Sequence, residues 1–165
     1  MVNSLRVVPG GSLVYLRKIL ATTDLSEYSL AAMEYASSFG LLYSSTLFFL
    51  HVVDSREGHQ LRTEAEAHQA LSEFIEEHIS ADVKLVPVVR FGHPADEIRR
   101  FAEQEGVDLV VIATHGRTGL RHILMGSVAE RTVRHSSIPV LTVKPRSLRE
   151  SILKNEDVER ELHLR

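Results

Sequence analysis

The chain has 165 residues, of which 44% are hydrophobic, and its formal net charge is −3. This predicts one globular domain, and the slightly acidic balance argues against a general nucleic-acid binder, which needs a large basic surplus. The lack of cysteine excludes disulfides and cysteine-based metal or nucleophilic sites, and no apolar run approaches the roughly 20 residues that span a bilayer. We therefore expect a soluble, cytoplasmic protein.

The sequence predicts alternating strands and helices between a flexible leader, residues 1–13, and a charged tail, residues 146–165. Short apolar runs indicate the strands, and longer segments bounded by capping or glycine signals indicate the helices. The predicted strands are residues 15–23, 46–53, 83–89, 109–114 and 138–143. The predicted helices follow Asp24 up to Gly40 and cover roughly residues 60–79, residues 94–106 and residues 128–135.

Two of the helix starts have the spacing of a capping box. Asp24 is followed three residues later by Glu27, and Ser127 is followed three residues later by Glu130. In such a box the first side chain accepts from the helix backbone and the acidic side chain reaches back. We therefore expect Asp24 and Ser127 to be the N-caps of the first and fourth helices.

Strands that are apolar throughout and alternate with helices indicate a mainly parallel sheet with helices on both faces. Five strands and four helices predict a doubly wound, flavodoxin-like α/β fold, with strand order 3-2-1-4-5 as the expected topology. That order places the first strand beside the fourth. The loops that follow them, Thr22-Thr23-Asp24 and Ala113 to Gly116, would then form one crevice, at the carboxyl edge where such sheets bind ligands.

The fourth strand leads into a glycine-containing loop and then into the helix that begins near Gly126-Ser127. Backbone N–H groups and the positive end of a helix dipole favour phosphate at such a position. A Walker loop, a G-x-G-x-x-G fingerprint, a Ser-Gly-Gly turn after the first strand and a G-x-S-x-G elbow are all missing from the sequence. The nine histidines show no metal-ligand spacing, and scattered surface histidines explain them better.

From Tyr15 to Pro145 the chain resembles the universal stress protein family. The residues that carry the resemblance are Ile19 to Ser26 (ILATTDLS), Leu50 to Asp54 (LHVVD), Gly92 to Ala95 (GHPA) and Asp108 to Pro145, which includes ATHGRTGL and MGSVAERTVRHSSIPVLTVKP. ATP-binding members carry G-x2-G-x9-G-[ST] after the fourth strand. Here that pattern falls on Ala113, Gly116, Gly126 and Ser127, with alanine at the first glycine. Alanine would cost affinity if the position needs positive φ or lies against the ribose, and would be tolerated at a strand end.

The resemblance implies an adenine nucleotide alpha hydrolase-like fold that binds ATP, with Mg2+ held through the phosphates and through Asp24. Glycines and backbone N–H groups of the last loop would hold the phosphates, Arg117 would add charge, the first loop would meet the base and ribose, and Leu47 would pack on adenine. The implied nucleotide-contacting residues are Thr22, Thr23, Asp24, Leu47, Ala113, Gly116, Arg117, Gly126, Ser127 and Val128. Taken singly, Asp24 and Ser127 are better explained as helix caps and the loop glycines as turn residues, and it is the spacing of the whole set that favours a nucleotide site.

The fifth predicted strand, Val140 to Val143, would be an apolar sheet edge. Pairing with the same strand of a second copy would cover it, and the resemblance implies such a homodimer. Residues 146–165 form either an amphipathic helix that docks on a partner or a solvated tail. We expect a nucleotide-binding stress-response or signalling protein without catalytic residues; the alternatives are a nucleotide-free dimeric interaction module and a weak ATPase or self-phosphorylating protein.

Overall fold

The structure, a computed structural model, describes residues 14–54, 63–79, 82–115 and 125–145. Within them, strands and helices alternate along the chain. The elements are β1 (Lys18–Thr23), α1 (Glu27–Tyr43), β2 (Thr46–Val53), α2 (Glu64–His78), β3 (Lys84–Phe91), α3 (Pro94–Glu105), β4 (Leu109–Ala113), α4 (Ser127–His135) and β5 (Val140–Val143). The predicted leader and tail lie outside the described residues.

The five strands form one parallel sheet in the order β3-β2-β1-β4-β5. This confirms the predicted doubly wound topology. Ala21 of β1 is level with Val111 of β4, and Thr23 of β1 is level with His51 of β2. The strand order reverses at β1, so the crevice expected of such folds opens beyond the carboxyl ends of β1 and β4.

Helices cover both faces of the sheet. In β1, Ile19 and Ala21 pack into a cluster with residues of α1 and α2, whereas Leu20, between them, packs with residues of α3 and α4. Because the central strands β1, β2 and β4 are largely buried on both sides, their residues are mostly apolar without alternation, which is the pattern that made them recognisable in the sequence. The outer strands β3 and β5 are more exposed.

The predicted end of the first helix at Gly40 is wrong. Helix α1 continues to Tyr43, and Ser44 ends it in the left-handed conformation with φ of 54°. Gly40 lies inside the helix, where an added Cβ would approach the Leu47 side chain to 2.9 Å. The glycine is therefore explained by the close approach of α1 to β2 and not by a helix stop.

Both predicted capping boxes are also wrong. The N-caps are Ser26 for α1 and Gly126 for α4, and neither has a side-chain capping bond. Asp24 instead accepts from the Ser26 backbone N–H at 3.2 Å and from the Ser26 hydroxyl at 2.5 Å through Oδ1. Ser127 is the first residue of α4, so the helix begins one residue earlier than predicted.

Candidate functional site

The loop after β1 is held by the buried side chain of Thr23. Its hydroxyl lies 2.7 Å from the Ser29 hydroxyl and accepts from the Leu25 backbone N–H at 3.0 Å. Leu25 has φ of 62°, a conformation that a leucine rarely adopts, so these contacts fix a sharp turn directly after Asp24. Thr22 and Thr23 are both buried at the carboxyl end of the strand.

Two residues near the end of β2 complete this side of the crevice, and the sequence analysis did not select either as a site residue. His51 is buried, and its Nδ1 donates to the Thr23 carbonyl oxygen at 3.0 Å. Val52 follows it, partly buried, at the carboxyl end of the strand. The available signal was a histidine within an otherwise apolar predicted strand, because a buried polar side chain requires a hydrogen-bond partner.

The end of β4 connects the sheet to helix α4. The Thr114 backbone N–H donates to the Val143 carbonyl at 2.9 Å, and the Thr114 carbonyl accepts from the Gly126 N–H at 2.6 Å. The β1–β4 pairing ends at Ala21 and Val111, and Asp24 and Thr114 each lie three residues beyond these last paired residues. The structure therefore places Thr22, Thr23 and Asp24 at the same edge of the sheet as the end of β4 and the start of α4.

Ala113 is the last residue of β4, level with Val143, and is 8% exposed. It is not among the described residues with positive φ, and its methyl group packs in the core cluster formed with α1. Of the two conditions under which alanine would cost affinity, a positive φ is therefore not met.

Gly126 places the start of α4 against the sheet. An added Cβ would lie 3.3 Å from the Thr114 carbonyl oxygen, tighter than ordinary contact. Ser127 is exposed and Val128 is partly buried in the first turn that follows. The N–H groups of a first helical turn have no partner inside the helix and lie at its positive end. This end of the crevice can therefore accept an anion.

Not all of the predicted residues join this group. Leu47 lies near the amino end of β2, level with Ile19 and fully buried beneath α1. His51 is four positions further along the same strand, which corresponds to about 13 Å. The expectation that Leu47 contacts adenine is therefore wrong, because strand direction places it at the opposite edge of the sheet. Gly116 and Arg117 lie outside the described residues.

Within the described ranges, no group of three or more histidine, aspartate or glutamate side chains is placed to hold a metal ion. In the same part of the chain, none of the helices has the length and apolar character needed to cross a membrane.

Comparison with known proteins identifies the family. The sequence model of the universal stress protein family matches residues 16–144. The chain belongs to this family. Universal stress protein MJ0577 of Methanocaldococcus jannaschii is 31% identical over 156 residues, covering 79% of this chain and 96% of that protein. The solved structure of MJ0577 superposes with a TM-score of 0.70 at 34% identity, covering 79% and 97% of the two chains.

Two more distant universal stress proteins with the same fold were solved with nucleotides. One is a complex with cAMP, with a TM-score of 0.64, 21% identity and coverage of 79% of this chain and 98% of that chain. The other, from Archaeoglobus fulgidus, is a complex with dAMP, with a TM-score of 0.61, 18% identity and coverage of 80% and 100%. At these identities the similarity to the present chain is one of fold.

Proposed function

We propose that this universal stress protein binds an adenine nucleotide in the crevice between the ends of β1 and β4. The observation that carries the proposal is the 2.6 Å hydrogen bond from Gly126 N–H to the Thr114 carbonyl, which brings the start of α4 to the carboxyl edge of the sheet, the edge at which Asp24 follows β1. A nucleotide fits this position because the backbone N–H groups at the start of a helix can donate hydrogen bonds to its phosphate oxygens. The cAMP and dAMP complexes of two family members support the same class of ligand.

The proposed contacts follow from position. The backbone N–H groups of Ser127 and Val128 would bind phosphate, with Gly126 allowing close approach and the predicted Gly116 and Arg117 adding contacts from the loop. Asp24 would face the ribose or a metal ion, and Thr22 and Thr23 would lie toward the base. Val52, at the carboxyl end of β2, would pack against adenine in place of Leu47.

ATP is the proposed nucleotide, with Mg2+ entering on its phosphates. The chain offers the Asp24 carboxylate as a protein ligand of the oxygen type that Mg2+ prefers. Bound there, Mg2+ would neutralise phosphate charge. We propose that the protein acts through nucleotide-dependent conformation and partner binding in the cell's cytoplasm, with slow ATP turnover at most.

A second candidate function is a dimeric interaction module that needs no nucleotide. The observation that favours it is the edge position of β5, in which Val140, Leu141 and Thr142 are only partly buried. An apolar edge strand invites pairing with a second copy. In this case the crevice would be a vestigial site that no longer binds nucleotide, and the protein would function through its dimer surface.

Calorimetric titration of the purified protein with ATP, AMP and adenosine at constant Mg2+ tests the proposal. We expect saturable binding of the adenine nucleotides, and mass spectrometry of freshly purified protein should find bound nucleotide. Absence of binding at millimolar ATP with Mg2+ would refute nucleotide binding and leave the interaction module as the better explanation.

A further inference from the structure

A hydrogen bond joins the N-cap residue of α3 to the second turn of α4. His93, the N-cap residue of α3, accepts from Arg131 of α4 over 3.2 Å between Nε2 and Nη1. Arginine can only donate, so Nε2 is the acceptor and the histidine proton lies on Nδ1. Nδ1 is buried and has no hydrogen-bond partner among the described residues, and Oδ2 of Asp96 lies 3.5 Å from it.

This pair connects two helices that lie on the same face of the sheet. His93 follows β3, whereas Arg131 belongs to the helix that follows β4, and β2 and β1 lie between these strands. The ends of β3 and β4 are three strand spacings apart, about 14 Å. The two side chains meet because α3 packs against α4 on this face of the sheet. The contact of α3 with α4 therefore forms a wall on this face of the sheet, and the hydrogen bond fixes the Arg131 guanidinium in it.

Arg131 is placed to reach an anion at the helix start. It lies four residues after Ser127, so both occupy the same side of α4, and both are exposed. Side chains on a helix lean toward its N-terminus, which carries the guanidinium toward the first turn. The guanidinium has five N–H donors, and the bond to His93 uses one of them.

We propose that Arg131 binds the phosphate chain of the nucleotide and that His93 positions its guanidinium for this contact. The inference rests on the proposed function and specifies it, since a cation in this wall favours ligands with more phosphates. Arg131 then determines how strongly the site prefers a nucleoside triphosphate to the uncharged nucleoside.

Substituting Arg131→Gln and titrating adenosine, AMP and ATP tests the inference. A charge-assisted hydrogen bond to phosphate implies that ATP affinity falls about tenfold or more, whereas adenosine affinity stays within about twofold. Arg134→Gln is the matched control: it removes the same charge from the same helix, but its guanidinium is paired with Glu130 at 2.8 Å. We expect this control to bind ATP nearly as well as the wild type.

The positioning role of His93 has its own rescue experiment. His93→Leu removes the acceptor and should weaken ATP binding, whereas His93→Gln retains an acceptor and should restore most of it. Equal effects of Arg131→Gln and Arg134→Gln, or equal losses for adenosine and ATP, would overturn the inference. If the wild-type protein binds none of the three ligands, the proposed function itself fails; if it binds them and Arg131→Gln is silent, only the inference fails.

Discussion

Among single residues, Gly126 has the most specific requirement in the candidate site. Its φ of −67° suits any residue, so the need for glycine arises from the Thr114 carbonyl, 3.3 Å from an added Cβ. We predict that Gly126→Val lowers ATP affinity at least tenfold, measured by calorimetry, because the side chain separates α4 from β4 and fills the space for phosphate. A poorer N-cap should also cost about 1 kcal/mol of unfolding free energy.

Gly106→Ala provides the control for that loss of stability. Gly106 ends α3 with φ of 63°, and an added Cβ would meet nothing within 4 Å. Alanine in the left-handed conformation should cost about 1–2 kcal/mol, similar to or greater than the loss at Gly126. Unchanged ATP affinity in this variant, beside a loss in Gly126→Val, would separate binding from folding. Full affinity in Gly126→Val would contradict the proposed phosphate position.

At the scale of elements, α2 has a complete capping box that the sequence analysis missed. The Thr63 hydroxyl accepts from the Glu66 N–H at 3.3 Å, and the Glu66 carboxylate accepts from the Thr63 N–H at 2.8 Å. We predict that Thr63→Ala lowers the unfolding free energy by about 1 kcal/mol in urea titrations and speeds amide exchange in the first turn of α2.

Glu66→Gln is the matching control, because glutamine can also reach back to the N-cap N–H. It should keep most of the stability that Thr63→Ala loses. If both substitutions are neutral, the box makes no net contribution. The prediction missed this start because it placed the helix near Gln60, where the polar segment begins, whereas the helix begins at Glu64.

For the whole molecule, the open edge of β5 bears on assembly. The carbonyls of Pro139 and Val143 accept from N–H groups of Val110 and Thr114, so alternate residues of β5 face β4. Thr142, between these positions, therefore directs its backbone N–H away from the sheet. A second β5 strand could pair with this edge, which is why we predict a dimer in solution.

Thr142→Pro should convert the dimer to a monomer in sedimentation experiments, because proline removes an outward donor while the β4–β5 hydrogen bonds remain. Thr142→Val keeps the donor and should remain dimeric. A monomeric wild-type protein would contradict the prediction. A dimer that forms only after removal of residues 146–165 would instead show that the tail covers the edge within one chain.

The sequence by itself determined the elements and their order. Apolar runs identified all five strands of the described sheet, because burial in the sheet leaves few polar residues in these short segments. Gly126 and Ser127 predicted the start of α4 to within one residue, and the structure has Gly126 as its N-cap. These features depend on short segments of chain, so they could be read without knowing what lies nearby.

Only the tertiary structure decided which residues share a neighbourhood. The sequence suggested that Gly40 ends α1, whereas the structure shows that this glycine allows α1 to lie close to β2. The sequence also suggested that Leu47 contacts adenine, whereas the strand direction places Leu47 at the opposite edge of the sheet. The contact between His93 and Arg131, which are 38 positions apart, likewise depends on the packing of α3 against α4. Which residues are neighbours is determined by the strand order and by helix packing. These bring together residues that are far apart in the chain, and the sequence around one of them does not indicate the other.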